Sequence, residues 1–467
     1  MTNGLAFLTF PLLARHLSVG DYGAYDLYAT ISVLLSVIIT FGIDSSVGRF
    51  FHEYEDLVDR KELISQAFLL QIGVIFIVSL VLFFFSASIN QLFNHSSNTI
   101  FLYRLVLYQV PFIVLLNFSL NLLKWSFAKW QFILLTGVAS ALNLAFLSGL
   151  IYGYKIDLAN VFMAILIAKI FAAFFGLFLI SRWIHVPKNS KYIVAIVKYA
   201  FPIGLVCIID VSVPAVERTI VGKMISIEAL GQYAAASKAV LIITLFAQAF
   251  QSAWGPFSLS IYKQESSGKT YALVAKVFVL FMCSAALFIT AFGKEILEFL
   301  AGERYSSSYI IIFPLTMSFV VQSTSWITEI GIGISKKSKL NFYSHVLHLI
   351  TSVLLISFFT SYYGIIGTAC GVLFSHIIRA VIISILSQQA YYIRWPFMVI
   401  TSMISLTLIL GVSWIVAIER HSMLIDAIFV TVSILCMTFG FWHLVLDPSE
   451  RKPVTAFYLS LYKYLGL

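Results

Sequence analysis

Charged residues are scarce in this chain. They make up 11% of its 467 residues, against about 25% in an ordinary soluble domain. A sequence so poor in charge and 60% hydrophobic cannot hide its apolar surface from water by folding alone, which excludes a water-soluble globular protein. Cysteine is also sparse. Cys207, Cys283, Cys370 and Cys436 all lie in apolar stretches, with no CxxC and no Cys/His cluster, so neither a disulfide framework nor a metal site is expected. No GxxxxGK(S/T) phosphate loop, no HExxH and no GxSxG elbow occurs, which removes the usual sequence marks of nucleotide, zinc or serine chemistry. Long polar connections are missing too. The longest runs from Arg182 to Lys198, too short for the soluble head of a glycosyltransferase or polymerase. The chain is therefore read as no enzyme, with no cofactor. No small-residue cleavage site follows the first apolar segment, which is expected to be retained.

What is present is apolar sequence in helix-length runs. Backbone polar groups inside a bilayer must be satisfied internally, and runs of this length and non-alternating pattern do so only as helices. Fourteen spans are predicted, near 3–16, 25–47, 66–88, 100–123, 131–152, 159–181, 200–222, 230–255, 272–293, 309–333, 341–361, 364–387, 397–417 and 424–446. The fold class is thus an all-α polytopic membrane protein. The first span is short for a bilayer that takes about 20 residues. The tail after Asp447 is basic and amphipathic, the pattern of a helix lying on the membrane surface. The 42 Phe and 23 Tyr are read as lipid-facing and interfacial packing.

The net charge of +9 reflects topology rather than nucleic-acid binding. Lys and Arg in alternate connections divide 19 against 7, with Lys169, Arg218, Lys238 and Arg379 inside spans. The richer set, which holds Arg49, Arg60, Lys61, Lys124, Lys129 and the 182–198 connection, is expected to be cytoplasmic. An even number of spans then puts both termini on that side.

One stretch of the chain repeats. Residues 17–25 read LSVGDYGAY and residues 225–233 read ISIEALGQY, so that Ser18 matches Ser226, Gly23 matches Gly231 and Tyr25 matches Tyr233. Six spans separate them. The two units therefore insert in the same direction, as a parallel repeat about an axis along the membrane normal. Residues 1–182 (spans 1–6) and 183–390 (spans 7–12) are read as two pseudo-symmetric six-helix lobes, with 391–467 as two further helices and a basic cytoplasmic tail. Gly231 and Tyr233 are expected to serve the turn and packing.

Polar residues inside the spans fall on faces. Asp210, Pro214 and Glu217 recur at i, i+4 and i+7 beside Arg218, and Asn117, Asn121 and Lys124 share a second face. Ser318, Gln322, Ser325 and Glu329 make a third, and span twelve offers Ser375, His376 and Arg379. A charge at the bilayer centre costs about 2.5–3.5 kcal/mol on insertion scales, so the set points to a shared water-filled cavity. The expected anion-binding groups are Arg49, Lys124, Lys169, Arg218, Lys238, His376 and Arg379. The acids Asp210, Glu217 and Glu329 are expected to hold a coupling ion or to serve as counter-charges; Asp44 is a further acid. A predominantly basic cavity suits an anionic substrate, with phosphate the obvious group. His52 is expected to be an exposed residue of a connection.

The segments FPLLARHLSVGDYGAYDLY (Phe10–Tyr28), GIDSSVGRFFHEYED (Gly42–Asp56), LGQYAAASK (Leu230–Lys238) and FQSAWGPF (Phe250–Phe257) resemble the polysaccharide transporters and O-antigen flippases of the multidrug/oligosaccharidyl-lipid/polysaccharide (MOP) exporter superfamily. The resemblance implies two six-helix lobes around a central cavity and alternating access. It implies an undecaprenyl-pyrophosphate-linked oligosaccharide carried from the inner to the outer leaflet of a bacterial inner membrane. It also implies basic cavity residues for the pyrophosphate, with Arg49 and Arg218 at matching places, and an H+ or Na+ gradient for drive. Implied partners are the lipid-linked glycan, membrane lipids and the polymerase and glycosyltransferases of the pathway; a monomer is expected. Rival readings are a cation-coupled multidrug antiporter of the same superfamily, which should carry an acidic cavity, a membrane enzyme of glycan assembly, and a non-transporting scaffold.

Overall fold

The computed structural model describes residues 2–88, 100–153, 156–417 and 423–446, together with 448, 450 and 451. Among these residues every regular element is a helix. In chain order they are α1 (Thr2–His16), α2 (Val19–Thr40), α3 (Ile43–Glu53), α4 (Leu57–Phe84), α5 (Ile100–Trp125), α6 (Lys129–Gly153), α7 (Leu158–Ile180), α8 (Ile193–Met224), α9 (Ile227–Ile261), α10 (Ser267–Ala291), α11 (Gly293–Ala301), α12 (Tyr309–Thr328), α13 (Ile330–Ser335), α14 (Ser338–Ala390), α15 (Phe397–Ala417) and α16 (Met423–Gly440).

Twelve of the described helical segments are long and apolar enough to cross a bilayer. One of them, Lys339–Ala390, is 52 residues long, over twice what one crossing needs. It is broken at Gly364, whose φ of 58° and ψ of −138° are not helical. There the hydroxyls of Thr360 and Thr368 come within 2.9 Å, although eight residues of straight helix would hold them about 12 Å apart. The chain therefore turns back at Gly364, the first residue of the predicted span 364–387, so that this helix holds both that span and 341–361. The 15-residue α1 coincides with the short first span. The chain is a multi-pass, all-helical membrane protein, and the predicted spans find their helices.

Span two needs correcting. The sequence reads 25–47 as one apolar run, but α2 ends at Thr40. Phe41 and Gly42 both take left-handed conformations, with φ of 43° and 72°, and α3 starts afresh as a separate amphipathic helix. A further amphipathic helix, α11, was also not foreseen. The predicted surface helix after Asp447 lies, from residue 452 onward, outside the described residues.

By packing, the chain falls into two compact units. Residues 1–235, 300–302 and 345–368 form one, and residues 236–299, 303–344 and 369–467 form the other. In the first unit α5 packs along α7 and α6, and α2 packs along α8. Its core gathers Val47 and Phe51 of α3, Leu63, Ile64 and Ala67 of α4, Leu122 of α5 and Ile196 of α8. On the predicted cytoplasmic side, Glu62 of α4 pins the long connection before α8. It accepts hydrogen bonds from His185 Nε2 at 2.9 Å, Gln66 Nε2 at 3.0 Å and the backbone N–H of Lys188 at 2.9 Å. In the second unit α10 packs against α12, α15 and α16. Lys276 of α10, nearly buried, donates to both carboxylate oxygens of Glu450 at 2.9 and 3.0 Å, which fixes the start of the C-terminal tail.

The repeated nonapeptides do the same work twice. Ser18 accepts from the backbone N–H of Asp21 at 3.0 Å and caps α2. Its counterpart Ser226 accepts from the N–H of Ala229 at 3.0 Å at the start of α9. Both are the N-terminal capping arrangement that serine favours. The matched glycines then meet each other. A Cβ added to Gly23 would lie 2.3 Å from the Ile227 carbonyl oxygen and 2.6 Å from the Gly231 nitrogen.

Candidate functional site

Within the first unit lies a cavity of about 350 Å³ bordered by α2, α3, α5, α6 and α8. Its polar wall is built from one face of α5, where Asn117, Asn121 and Lys124 recur at i, i+4 and i+7, as their spacing predicted. Thr40 and Asp44 close the side where α2 gives way to α3, and Thr136 of α6 and Cys207 of α8 complete it. The break at Phe41–Gly42 is what brings Asp44 here. Gly42 and Gly204 pack so closely that a Cβ on either would sit under 3 Å from backbone of the other segment, so α3 starts hard against α8. Lys124 is exposed and Asp44 half-buried, so the cavity presents one cation and one acid among amides and hydroxyls.

Burial raises the Asp44 carboxyl above the usual carboxylate range, and hydrogen bonding from Ser45, whose N–H donates at 2.8 Å, offsets part of that. A raised value means the folded state holds the proton more tightly than the unfolded one. Ionised Asp44 therefore costs stability at neutral pH, and stability is regained as pH falls through the raised value. Asp44→Asn is expected to match or exceed the wild-type melting temperature at neutral pH. The gap should close in acid, where the wild-type carboxyl is itself protonated. A lower melting temperature at neutral pH would contradict this account.

A second polar centre is an ion network at the crossing of α2, α8 and α9. Arg218 Nε donates to Asp26 Oδ2 at 3.1 Å and its Nη1 to Glu217 Oε2 at 3.0 Å. The Tyr233 hydroxyl donates to the same Glu217 oxygen at 3.0 Å, and the guanidinium lies 5.7 Å from the Tyr233 ring centre. Asp26 is 2% and Glu217 7% exposed. Arg218, expected as a pyrophosphate ligand, is held between these two carboxylates and is not among the residues that line the cavity. Tyr233, expected to serve packing, is also a hydrogen-bond donor to the network. Asp26 was not singled out in the sequence; its signal was a lone acid inside the apolar α2.

The remaining expected residues are dispersed. Arg49 is exposed on α3, its guanidinium 4.6 Å from the Tyr199 ring centre. Lys169 is half-buried on α7 and does not line the cavity. Asp210 is exposed on α8 and faces His345 of α14 at 3.5 Å. In the second unit, Lys238 is half-buried on α9 and Glu329 half-buried between α12 and α13, while His376 and Arg379 are buried on α14. His52 is exposed, as expected. Among the described residues no group of three or more His, Cys, Asp or Glu is placed to hold a metal ion.

The second unit has its own cavity, about 710 Å³, between α12, the C-terminal half of α14 and α15. Val321, Ile377, Val381, Phe397 and Leu408 line it. Its hydroxyls are turned into backbone or one another: Thr324 donates to the Val320 carbonyl at 2.8 Å, Thr401 to that of Phe397 at 2.8 Å, and Thr328 pairs with Ser384 at 2.9 Å. What faces the space is mostly carbon. His376 and Arg379 lie off this wall, while Ile377 and Ala380 lie on it.

The chain shares its fold with solved flippase and transporter structures. It is similar to the lipid II flippase MurJ in an inward closed conformation, with a TM-score of 0.74 and 16% identity over 95% of this chain and 98% of that one. It is also similar to an inward-facing multidrug resistance MATE family transporter of the MOP superfamily, with a TM-score of 0.70 and 13% identity over 86% of this chain and 95% of that one. A mutant of the Vibrio cholerae MATE transporter VcmN follows, with a TM-score of 0.60 and 17% identity over 83% and 93% of the two chains. No curated protein matches the chain by sequence. A family model described as polysaccharide biosynthesis protein matches residues 1–262, more than half the chain, and the chain belongs to that family.

Proposed function

We propose that this protein is a flippase that carries an undecaprenyl-pyrophosphate-linked oligosaccharide from the inner to the outer leaflet of a bacterial inner membrane, with both termini cytoplasmic, for assembly of a surface polysaccharide such as an O-antigen, capsule or exopolysaccharide. The observation that carries this reading is the polar, Lys124-bearing cavity among the spans of a chain in the polysaccharide biosynthesis family. The amides of Asn117 and Asn121 suit a glycan, the Thr40 and Thr136 hydroxyls, which donate to the Ser36 and Phe132 carbonyls, can still accept, and Lys124 suits a phosphate oxygen. Arg49, Lys169, Lys238, His376 and Arg379 are further candidates along the substrate's path. Movement between the leaflets proceeds by alternating access of the two repeat-related lobes, driven by an H+ or Na+ gradient, with glycosyltransferases and a polymerase acting before and after.

Complementation of a strain lacking the gene tests it. The wild-type chain should restore surface polysaccharide and clear lipid-linked glycan from the inner leaflet; failure to do either rejects the reading. A charge-assisted hydrogen bond contributes about 1.5–3 kcal/mol, so Lys124→Ala should lower the rate of export about tenfold or more, and Lys124→Arg should retain most of it. The structural likeness to MATE transporters supports one rival, a multidrug antiporter. That rival predicts that loss of the gene sensitises cells to cationic dyes while surface polysaccharide stays normal.

A further inference from the structure

The first half of α14 carries two buried histidines, His345 and His348, that the candidate site does not use. The His345 side chain is 9% exposed, and its Nδ1 lies 3.5 Å from Oδ1 of Asp210 on α8, a side chain that is 51% exposed. The imidazole thus stands behind a carboxylate that is open to its surroundings. Asp210 has a second peculiarity. Pro214 lies four residues on within α8 and has no N–H, so the helical hydrogen bond that position 214 would give the Asp210 carbonyl does not exist. The Asp210 carboxylate therefore faces an imidazole at a point where the backbone carbonyl of the same residue lacks its helical donor.

We propose that Asp210 and His345 form a proton-carrying pair that couples proton movement to transport. This rests on the flippase reading and assigns its driving ion. Imidazole is the side chain that ordinarily changes charge between about pH 5 and 8. It suits transition metals, whereas hard cations favour oxygen ligands, so a His–carboxylate pair fits a proton better than Na+. The step balances simply. A proton from water reaches the Asp210 carboxylate, passes to Nδ1 of His345, and leaves by the same two groups; only N–H and O–H bonds form and break. With the proton on His345, cation and carboxylate attract and hold α8 to α14. Without it, the ionised Asp210 has a neutral neighbour and is drawn toward water, because an uncompensated charge in apolar surroundings is costly. The other titratable groups around the pair are His348 on α14, Cys207 one turn earlier on α8, and Asp44 of α3, which lies within electrostatic reach of Cys207, as Asp210 does. Lys124 lines the cavity that Cys207 and Asp44 also line.

The test uses the full chain in two ways. In cells lacking the gene, export is followed against external pH for wild type, His345→Gln and Asp210→Asn, with membrane levels measured by immunoblot. Export by wild type should vary with pH and fall with a protonophore. His345→Gln, at equal membrane level, should be at least about tenfold slower and flat across the range where imidazole titrates; a variant with the wild-type pH profile overturns the proposal. Separately, infrared titration of the purified protein in liposomes should show a carboxylic-acid band that Asp210→Asn removes and His345→Gln moves. If wild type restores no export, the flippase reading fails, and the infrared titration alone decides. A band that His345→Gln moves upholds the pair, and the lack of such a band, or one that His345→Gln leaves in place, overturns it.

Discussion

Replacing Gly231 by leucine is expected to leave almost no folded protein. In an ordinary helix, a side chain in place of glycine is favourable, with alanine gaining about 1 kcal/mol in propensity. Here the sign reverses. A Cβ on Gly231 would lie 2.0 Å from the Val19 carbonyl oxygen and 2.9 Å from its carbonyl carbon. Those atoms are backbone and cannot swing aside, so α9 must separate from α2. Overpacking a well-packed interior usually costs about 1–3 kcal/mol, and contact with fixed backbone puts Gly231→Ala at the upper end of that range and Gly231→Leu beyond it. Gly23→Ala should behave like Gly231→Ala, because the two glycines are repeat-matched and touch each other. Gly137 and Gly149 provide the control, since a Cβ there meets nothing within 4 Å. Size-exclusion yield and melting temperature of the solubilised variants read the outcome. Wild-type behaviour of Gly231→Ala would show that the two helices do not cross this closely.

That crossing also shows how much of the molecule was legible beforehand. The fourteen spans were readable because lipid demands long uninterrupted apolar helices, and composition alone reports those. The end of α2 was not, because hydropathy is blind to backbone handedness. Ile43 and Val47 continue the apolar run, and only the left-handed pair Phe41–Gly42 stops the helix. The face of Asn117, Asn121 and Lys124 was readable because its period is local. The partners of Arg218 and Asp210 were not. Asp26 lies 192 residues before Arg218, and His345, which shares a face with Asn341, His348 and Ser352 at i, i+4, i+7 and i+11 spacing, lies far along the chain from Asp210. Spacing along a chain predicts which residues share a face; it does not predict which distant face answers it. The repeat was the exception, since similarity at long range matched Ser18 with Ser226 and Gly23 with Gly231, and the structure makes the first pair caps and the second pair a shared contact.

Arg218 offers the second large effect, and one that separates structure from substrate binding. Two buried carboxylates share its guanidinium, Asp26 at 3.1 Å and Glu217 at 3.0 Å. Arg218→Ala therefore leaves two acids in apolar surroundings with no cation between them. Breaking a buried pair by removing one partner costs about 3–5 kcal/mol, chiefly through the uncompensated charge left behind. Arg218→Lys should restore only part of this, because an ammonium lacks the planar fork that reaches two carboxylates at once. The informative variant is the triple Asp26→Asn, Glu217→Gln, Arg218→Met, which removes all three charges while keeping similar volumes. Replacing a whole buried ionic set by uncharged groups is often neutral or stabilising, and Tyr233 can still donate to the carboxamide oxygen at position 217. If Arg218 serves as counter-charge, the triple variant regains both the melting temperature and a large part of polysaccharide export. If Arg218 holds the substrate's pyrophosphate, the triple variant folds but export stays as low as in Arg218→Ala at matched membrane level. The geometry favours the first outcome, because a guanidinium already gripped by two acids and backed by the Tyr233 ring would have to abandon them to meet a phosphate.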